Sequence, residues 1–381
     1  MKPSVLSLRG ILILFLSVCA NATILYDVSD LGTLEADVAS YAFSINNLGQ
    51  AAGFSGRHAV LFDITGSGSV LPLGSSLLTG QYSQANSIND AGIAVGYVAF
   101  AGSGLRSHAT LFQTPGNLDS IYLGALPAYP YSEARCINDA GQVVGYSRYE
   151  SVLNAASRAT LFDPTGHGQN VDLGNGAAHC INGIGQIVGW SSPSAGGGQA
   201  TLFDPTGGKQ NVYLGDLGGQ NSIAYSINNA GLIVGQAENE LLQPRATLFD
   251  ASGNGNNGDL GTIPGYVASV AYAVNNRGEM VGNALQGLWH GGVCIYTTLG
   301  PPILFDPTGG GANAPLNELI SPDSGWRLQS ATGINDSGWI VGVGRNPDGE
   351  WHGYVLKPIP EPVTILLLAI GVLSLRKRIP R

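Results

Sequence analysis

A nine-residue pattern occurs seven times along this 381-residue chain and constrains its fold more than any other feature. It reads Ile or Val, Asn, two variable residues, Gly, three variable residues and Gly. Its asparagines are Asn46, Asn89, Asn138, Asn182, Asn228, Asn275 and Asn335, which follow one another after 43, 49, 44, 46, 47 and 60 residues. A repeat of this length is a supersecondary unit that buries its apolar surface only against its neighbours. The pattern therefore predicts an architecture, not a chemistry.

Each unit contains four short runs that read as β-strands. Around Asn182 these runs are 170–174, 178–182, 186–190 and 199–204, each rich in Val, Ile, Leu, Phe or Thr and bounded by turn residues. Between the second and third runs, the Asn and the first Gly of the pattern predict a tight hairpin, because Gly supplies the positive φ that such turns need. The body lacks long Gly-free stretches with helical spacing, so we expect few helices.

Four strands in each of seven units predict an all-β fold, a seven-bladed β-propeller of four-stranded antiparallel blades over residues 23–357. Closing the ring removes the exposed strand edges that an open array would present. The first strand, 25–31, would then pair near the last, 352–356, and join the two ends of the chain. A β-solenoid is the main alternative, although its rungs are usually shorter than these units.

Residues 1–22 have the three parts of a secretory signal peptide. Lys2 and Arg9 give a positive start, an apolar run covers 11–18, and Ala20-Asn21-Ala22 forms a small-residue cleavage site. We therefore expect cleavage after Ala22 and export of the mature chain.

The C-terminal segment, 358–381, also has three parts. Pro360-Glu361-Pro362 precedes an apolar run at 363–375, which is followed by the basic cluster Arg376, Lys377 and Arg378. A basic cluster after an apolar segment stays in the cytoplasm, which predicts a short transmembrane helix with the rest of the chain outside. The run is short for a bilayer, and the basic side chains would have to snorkel to extend it.

This tail resembles the PEP-CTERM sorting signal of Gram-negative bacteria that make exopolysaccharide. The resemblance implies that Pro360, Glu361 and Pro362 mark a segment recognised by a membrane-embedded exosortase. It further implies transient anchoring in the inner membrane, processing of the tail and release toward the cell surface.

The repeats resemble the HAF family of extracellular repeats, which is named for a His-Ala-Phe strand after the Asn-x-x-Gly-x-x-x-Gly hairpin. The segments 58–62 (His-Ala-Val-Leu-Phe) and 108–112 (His-Ala-Thr-Leu-Phe) match it closely, whereas other units begin this strand with residues such as Arg158 or Gln199. The resemblance spans nearly the whole mature chain. Because that family has no established activity, it implies an extracellular repeat protein and no reaction.

Composition excludes one class of partner. Residues 23–359 contain 11 Lys and Arg against 25 Asp and Glu, a net charge of −14. Nucleic-acid binding requires a basic surface, so we expect no nucleic-acid partner.

Three cysteines follow the leader: Cys136, Cys180 and Cys294. Cys136 and Cys180 occupy the same repeat position, where other units have small residues, so cysteine fits there as a small hydrophobe. Corresponding positions on neighbouring units are usually too far apart for a disulfide. The sequence alone leaves open whether any of the three is oxidised.

A search for chemistry finds no catalytic signature. His58, His108 and His352 share a repeat position and would be candidate metal ligands if ring closure made their units neighbours. We instead expect each to begin a strand and to bond locally, with no metal or cofactor. Glycoside hydrolysis needs a carboxylate pair, but the acids outside turns are scattered. They are Glu35, Asp37, Glu133, Glu238, Glu240 and Glu318.

The irregular stretch 285–302 produces the 60-residue spacing. Long insertions on a repeat scaffold often carry binding, so Trp289, His290 and Tyr296 are the candidate ligand-binding residues. Their rings could stack on sugars, or they could simply pack over a wider gap between units.

These observations favour an exported surface or matrix protein with a non-enzymatic binding role. Its expected partner is exopolysaccharide or another envelope component, besides the processing exosortase. A propeller glycoside hydrolase or lyase acting on extracellular polysaccharide is the alternative, and a purely structural surface protein is a third.

Overall fold

The structure is a computed structural model that describes residues 26–360 except 35–38, 65–68, 75–80, 101–105, 114–119, 150–156, 193–196 and 291–292. For 288–290 and 293–297 it describes the course of the strands. The described chain forms seven four-stranded antiparallel sheets arranged as a β-propeller, which confirms the predicted fold.

The first strand, β1 (Tyr26–Asp30), joins the last blade, and the next blades take four consecutive strands each, from the inner edge outward. Blade 1 contains β2 (Ser40–Ile45), β3 (Gln50–Ser55), β4 (His58–Asp63) and β5 (Val70–Pro72). Blade 2 contains β6 (Gln81–Ile88), β7 (Ala94–Phe100), β8 (Ser107–Phe112) and β9 (Ser120–Tyr122). Blade 3 contains β10 (Tyr131–Ile137), β11 (Val143–Arg148), β12 (Ser157–Phe162) and β13 (Val171–Asn175).

The remaining blades follow the same plan. Blade 4 contains β14 (Ala177–Ile181), β15 (Ile187–Ser191), β16 (Gln199–Phe203) and β17 (Val212–Gly215). Blade 5 contains β18 (Gly218–Ile227), β19 (Ile233–Asn239), β20 (Pro244–Phe249) and β21 (Gly258–Gly261). Blade 6 contains β22 (Ala268–Val274), β23 (Met280–His290), β24 (Val293–Phe305) and β25 (Ala314–Pro315). Blade 7 contains β26 (Arg327–Ile334), β27 (Ile340–Arg345), β28 (Trp351–Pro358) and, at its outer edge, β1.

The two ends of the described chain meet in blade 7. Strand β1 pairs antiparallel with β28, from Tyr26 opposite Pro358 to Asp30 opposite Tyr354. The predicted pairing of the first and last strands is thus confirmed. Since β1 precedes every other strand in the chain, blade 7 forms only when both ends are in place, and this pairing closes the ring.

The repeated asparagine links each blade to the next. Its side-chain Nδ2 donates to the backbone carbonyl of the asparagine one blade on, at 2.8–3.2 Å around the whole ring. The last link runs from Asn335 back to Asn46, at 3.0 Å. The Oδ1 atom of the repeated asparagine accepts backbone N–H groups of its own hairpin. At Asn182, for example, the Gln186 N–H donates to Oδ1 at 2.9 Å. The asparagine therefore fixes both its turn and the contact between blades.

The two glycines of the pattern meet different requirements, as blade 4 illustrates. Gly185 in the hairpin has φ of 84°, which favours glycine. Gly189 lies on β15 opposite a β-bulge in β14, where the register skips His179. A Cβ at Gly189 would lie 2.0 Å from the backbone oxygen of Ala177. The second glycine is thus required by the close approach of the bulged strand.

The apolar core lies between neighbouring blades. Val188 and Leu214 of blade 4 pack in one buried cluster with Ile227, Ile233 and Phe249 of blade 5. Because each blade buries one face against each neighbour, an isolated repeat would leave both faces in water.

Cys136 and Cys180, for which the sequence left a disulfide open, lie close together without forming one. Both are free thiols, but their Sγ atoms are 3.4 Å apart across the inner strands of blades 3 and 4. Each cysteine directly follows a bulged residue at the edge where the blades converge, which brings the side chains together. The contact with Cys180 and burial raise the pKa of Cys136, so this thiol is protonated at neutral pH.

The 60-residue spacing between Asn275 and Asn335 has two structural causes. Strands β23 and β24 form a hairpin that extends past the width of the blade, and two 3₁₀ turns, Leu316–Glu318 and Pro322–Ser324, precede β26. Within the described residues, no helix is long and apolar enough to cross a bilayer. The predicted leader, 1–22, lies outside those residues, as does the apolar run 363–375.

Candidate ligand-binding groove

A groove of about 670 Å³ lies between blades 6 and 7, beside the strand β24 that continues into the long hairpin. Its volume falls within the range of small-molecule sites, about 300–1,000 Å³. Blade 7 contributes the N-terminal ends of β26 and β28 and the C-terminal end of β27, which meet at one end of the sheet. The key side chains are those of Tyr266, Trp326, Arg327, Gln329, Arg345 and Trp351.

Local hydrogen bonds hold the walls of the groove. The side chain of Asn317, in the first 3₁₀ turn, bonds both backbone groups of Leu328: its Nδ2 donates to the carbonyl at 2.9 Å, and its Oδ1 accepts from the N–H at 2.8 Å. Gln329 donates through Nε2 to the Leu299 carbonyl at 3.2 Å, which connects blade 7 to β24. The inserted 3₁₀ turns therefore position the start of β26 against blade 6.

Three partly buried aromatic side chains line the groove. Trp326 packs edge-on against the buried ring of Tyr354, with 6.2 Å between centroids. Trp351 lies below the guanidinium of Arg345, whose Cζ is 4.6 Å from the ring centroid. Tyr266 packs against Gly300, where a Cβ would lie 2.5 Å from the ring. The glycine lets the tyrosine ring lie against β24, so this side of the groove depends on a residue without a side chain.

The electrostatic character of the groove differs from that of the whole chain. Arg327 and Arg345 both have exposed side chains, and no Asp or Glu is among the described residues that line the groove. Arg345 donates through Nη1 to the Gly349 carbonyl at 2.7 Å, which fixes its position over Trp351. The groove thus combines aromatic surface with positive charge in a chain of net charge −9.

A second cavity, of about 200 Å³, lies on the ring axis and is lined by the repeated asparagines and their neighbours. The carboxylates there, Asp90, Asp139 and Asp336, each accept a backbone N–H from an adjacent blade at 2.8–2.9 Å. Among the residues that the structure describes, no group of three or more His, Cys, Asp or Glu side chains is arranged to hold a metal ion. Hydrogen bonding between blades accounts for these carboxylates.

The three histidines of the shared repeat position begin, or nearly begin, the third strand of their blades, as expected. Nδ1 of His352 lies 2.9 Å from the carboxylate of Asp30, within blade 7. His108 packs edge-on against Tyr122 and Tyr131, and burial lowers its pKa. Nδ1 of His58 is buried without a partner, so local hydrogen bonding is not general at this position.

The scattered acids occupy structural or exposed positions. Glu133 is 7% exposed and pairs with Arg148 at 2.9 Å and with Arg135 at 3.1 Å. Glu238 accepts the backbone N–H of Asn221 at 3.1 Å. Glu240 and Glu318 are exposed, while Glu35 and Asp37 lie outside the described residues. Glu133 is thus held in ion pairs with two arginines. None of the described acids lies in the groove, where a carboxyl group would be needed for glycoside hydrolysis.

The residues proposed from the sequence lie on the hairpin that continues from the groove. Trp289 is opposite Cys294, and Tyr296 is opposite Leu288, in the β23–β24 register. The structure describes Trp289, His290 and Tyr296 as strand residues and does not describe their side chains. Pro360 is exposed beyond β28, whereas Ala22, Glu361, Pro362 and the basic cluster lie outside the described residues.

Sequence reasoning did not identify Tyr266, Trp326, Arg327, Arg345 or Trp351 as site residues. They belong to three separate segments, and only the closed ring and the inserted turns bring them together. One available signal was the placement of three of the five tryptophans, Trp326, Trp339 and Trp351, in the last unit.

The comparisons with known proteins add no function. No protein-family model and no curated protein matches this chain. The propeller and its groove are therefore the observations from which a function is inferred.

Proposed function

We propose that this chain is an exported surface or matrix protein that binds polysaccharide, without hydrolysing it, in the groove between blades 6 and 7. The observation that carries this proposal is the combination of Tyr266, Trp326 and Trp351 with polar and cationic groups in one cavity of about 670 Å³. Sugars present apolar C–H faces and polar edges, and aromatic rings bordered by hydrogen-bonding groups complement both.

The geometry favours binding over hydrolysis. Glycoside hydrolysis needs two carboxyl groups on either side of the scissile bond, and no carboxylate lies among the described lining residues. The hairpin of β23 and β24 extends from the same site, so Trp289 and Tyr296 are proposed to lengthen the binding surface along a polymer.

Replacing Trp351 by alanine is expected to weaken binding of exopolysaccharide from the producing strain at least about tenfold, or about 1.4 kcal/mol. The variant loses aromatic surface in the groove and the ring on which Arg345 stacks. Binding would be measured by calorimetry on the purified mature chain, and the midpoint of thermal unfolding would verify that the variant is folded.

Trp190 supplies the matched control, because it is a partly buried tryptophan in blade 4 that does not line the groove. Trp190→Ala should retain wild-type affinity. Equal losses in both variants, or no loss in Trp351→Ala, would contradict the assignment of the groove. Depolymerisation by the wild-type protein would support the alternative hydrolase or lyase function.

Export is proposed on the sequence alone. We infer an HAF-repeat protein with a signal peptide cleaved after Ala22 and a PEP-CTERM tail processed by an exosortase. Changing Pro360, Glu361 and Pro362 to alanine is expected to leave the full-length protein in the inner membrane, which fractionation and immunoblotting would detect. Unchanged release to the surface would argue against this sorting route.

A further inference from the structure

Two arginines face each other at the groove. Arg327 is the first residue of β26 and Arg345 is the last residue of β27, and the two are direct cross-strand partners. Neither forms an ion pair with any described residue. Like charges directly opposite on adjacent strands repel each other, so this pair is unfavourable until an anion lies near it.

Five of the seven other described arginines pair with a carboxylate, whereas the exposed Arg57 and Arg106 do not. Arg148, Arg158, Arg245 and Arg277 each have a carboxylate partner within 3.1 Å. The body carries 25 acidic residues, so carboxylates are abundant on its surface. Of the described arginines without a carboxylate partner, Arg327 and Arg345 are the two that line the groove.

Arg345 is held ready for a ligand. Its guanidinium is fixed by the bond from Nη1 to Gly349, at 2.7 Å, and by the ring of Trp351, with Cζ 4.6 Å from the centroid. A guanidinium has five N–H donors in a planar fork that matches both oxygens of a carboxylate. A side chain already positioned loses little further freedom when it binds, which favours affinity.

We propose that the groove selects sugar polymers that carry carboxylate groups, that is, uronate residues, and that Arg327 and Arg345 bind the carboxylate. The inference rests on the proposed polysaccharide-binding function and names its ligand class. Aromatic rings take the sugar face while the arginine pair takes the acidic substituent. The guanidinium fork binds both oxygens of a carboxylate, and it also binds two oxygens of a tetrahedral anion, so the test includes a sulfated polymer as a separate arm.

The test uses one probe in two charge states. Oligogalacturonate and its methyl ester have the same sugar backbone, but only the first carries negative charge. The wild-type body is expected to bind the acid at least about tenfold more tightly than the ester, with affinity that falls as salt rises. The double variant Arg327→Gln and Arg345→Gln should bind the acid no better than the ester.

Arg277→Gln is the control. Arg277 is exposed in the hairpin between β22 and β23, at the opposite end of the blade from the β23–β24 hairpin. Its change removes one positive charge, against two in the double variant. It should leave selectivity intact, and the thermal midpoint would verify that all variants are folded.

The possible results separate the two claims. Equal binding of acid and ester by the wild type would overturn the carboxylate inference and leave polysaccharide binding standing. Failure to bind either form would count against both. A further outcome is that dextran sulfate binds as tightly as oligogalacturonate and loses affinity in the double arginine variant. That result would reveal general anion binding and overturn the assignment to uronate.

Discussion

Replacing Gly189 by alanine is expected to destabilise the protein by more than about 4 kcal/mol, which exceeds the effect of most single substitutions. The added Cβ would lie 2.0 Å from the backbone oxygen of Ala177 and 2.9 Å from the Cα of Ala178. Both contacts are to backbone of the neighbouring strand, so no side chain can rotate away. Relief would require separating β14 from β15 and losing the bulge between them.

Gly258→Ala is the matched control for this prediction. Gly258 begins the outer strand β21, has a φ outside the left-handed region, and would place its Cβ no closer than 3.9 Å to a neighbour. Its effect should stay within about 0.5 kcal/mol. Urea denaturation followed by circular dichroism would compare the midpoints. A Gly189→Ala midpoint equal to that of the wild type would refute this explanation of the second glycine.

The second large effect concerns the asparagine ring. Asn182→Ala should cost about 3 kcal/mol, because it removes the bond to the buried carbonyl of Asn228, which keeps only the Gly231 N–H, and also removes the hairpin bonds from Ile184 and Gln186. The side chain bonds a neighbouring blade as well as its own turn, so the loss should exceed that of an ordinary turn residue.

Asn239 separates these two contributions. Its Oδ1 accepts from Leu241 and Gln243, both at 3.0 Å, and its Nδ2 donates to Gln243, which reproduces the local turn of Asn182. Its side chain makes no recorded bond to another blade among the described residues. Asn239→Ala should therefore cost only about 1 kcal/mol. Equal losses from both variants, in the same urea titration, would contradict a stabilising role for the ring of bonds between blades.

The local pattern predicted much of the fold. Alternation of short apolar runs with Asn and Gly turns gave the strands, and the seven copies gave the number of blades. Pairing of the first strand with the last was predicted from closure of the ring, and the observed pairing of β1 with β28 confirms it. These features depend on residues close in sequence or on counting repeats, both of which a single chain displays.

Features that depend on the details of strand pairing or on contacts between blades were not predictable. Nothing in the repeat indicates that the strand before each Asn contains a bulge, and that bulge explains both Gly189 and the approach of Cys136 to Cys180. The groove was missed for the same reason. Tyr266 and Trp351 meet only after blades 6 and 7 stack.

Hydrogen exchange with and without oligogalacturonate tests the central claim most directly, because bound ligand slows exchange where it contacts backbone or restricts local opening. The account predicts slower exchange at 326–329 and 345–351, together with the base of the β23–β24 hairpin. Slowing confined to the axial hairpins around Asn46 and Asn335, or no slowing at saturating ligand, would contradict it.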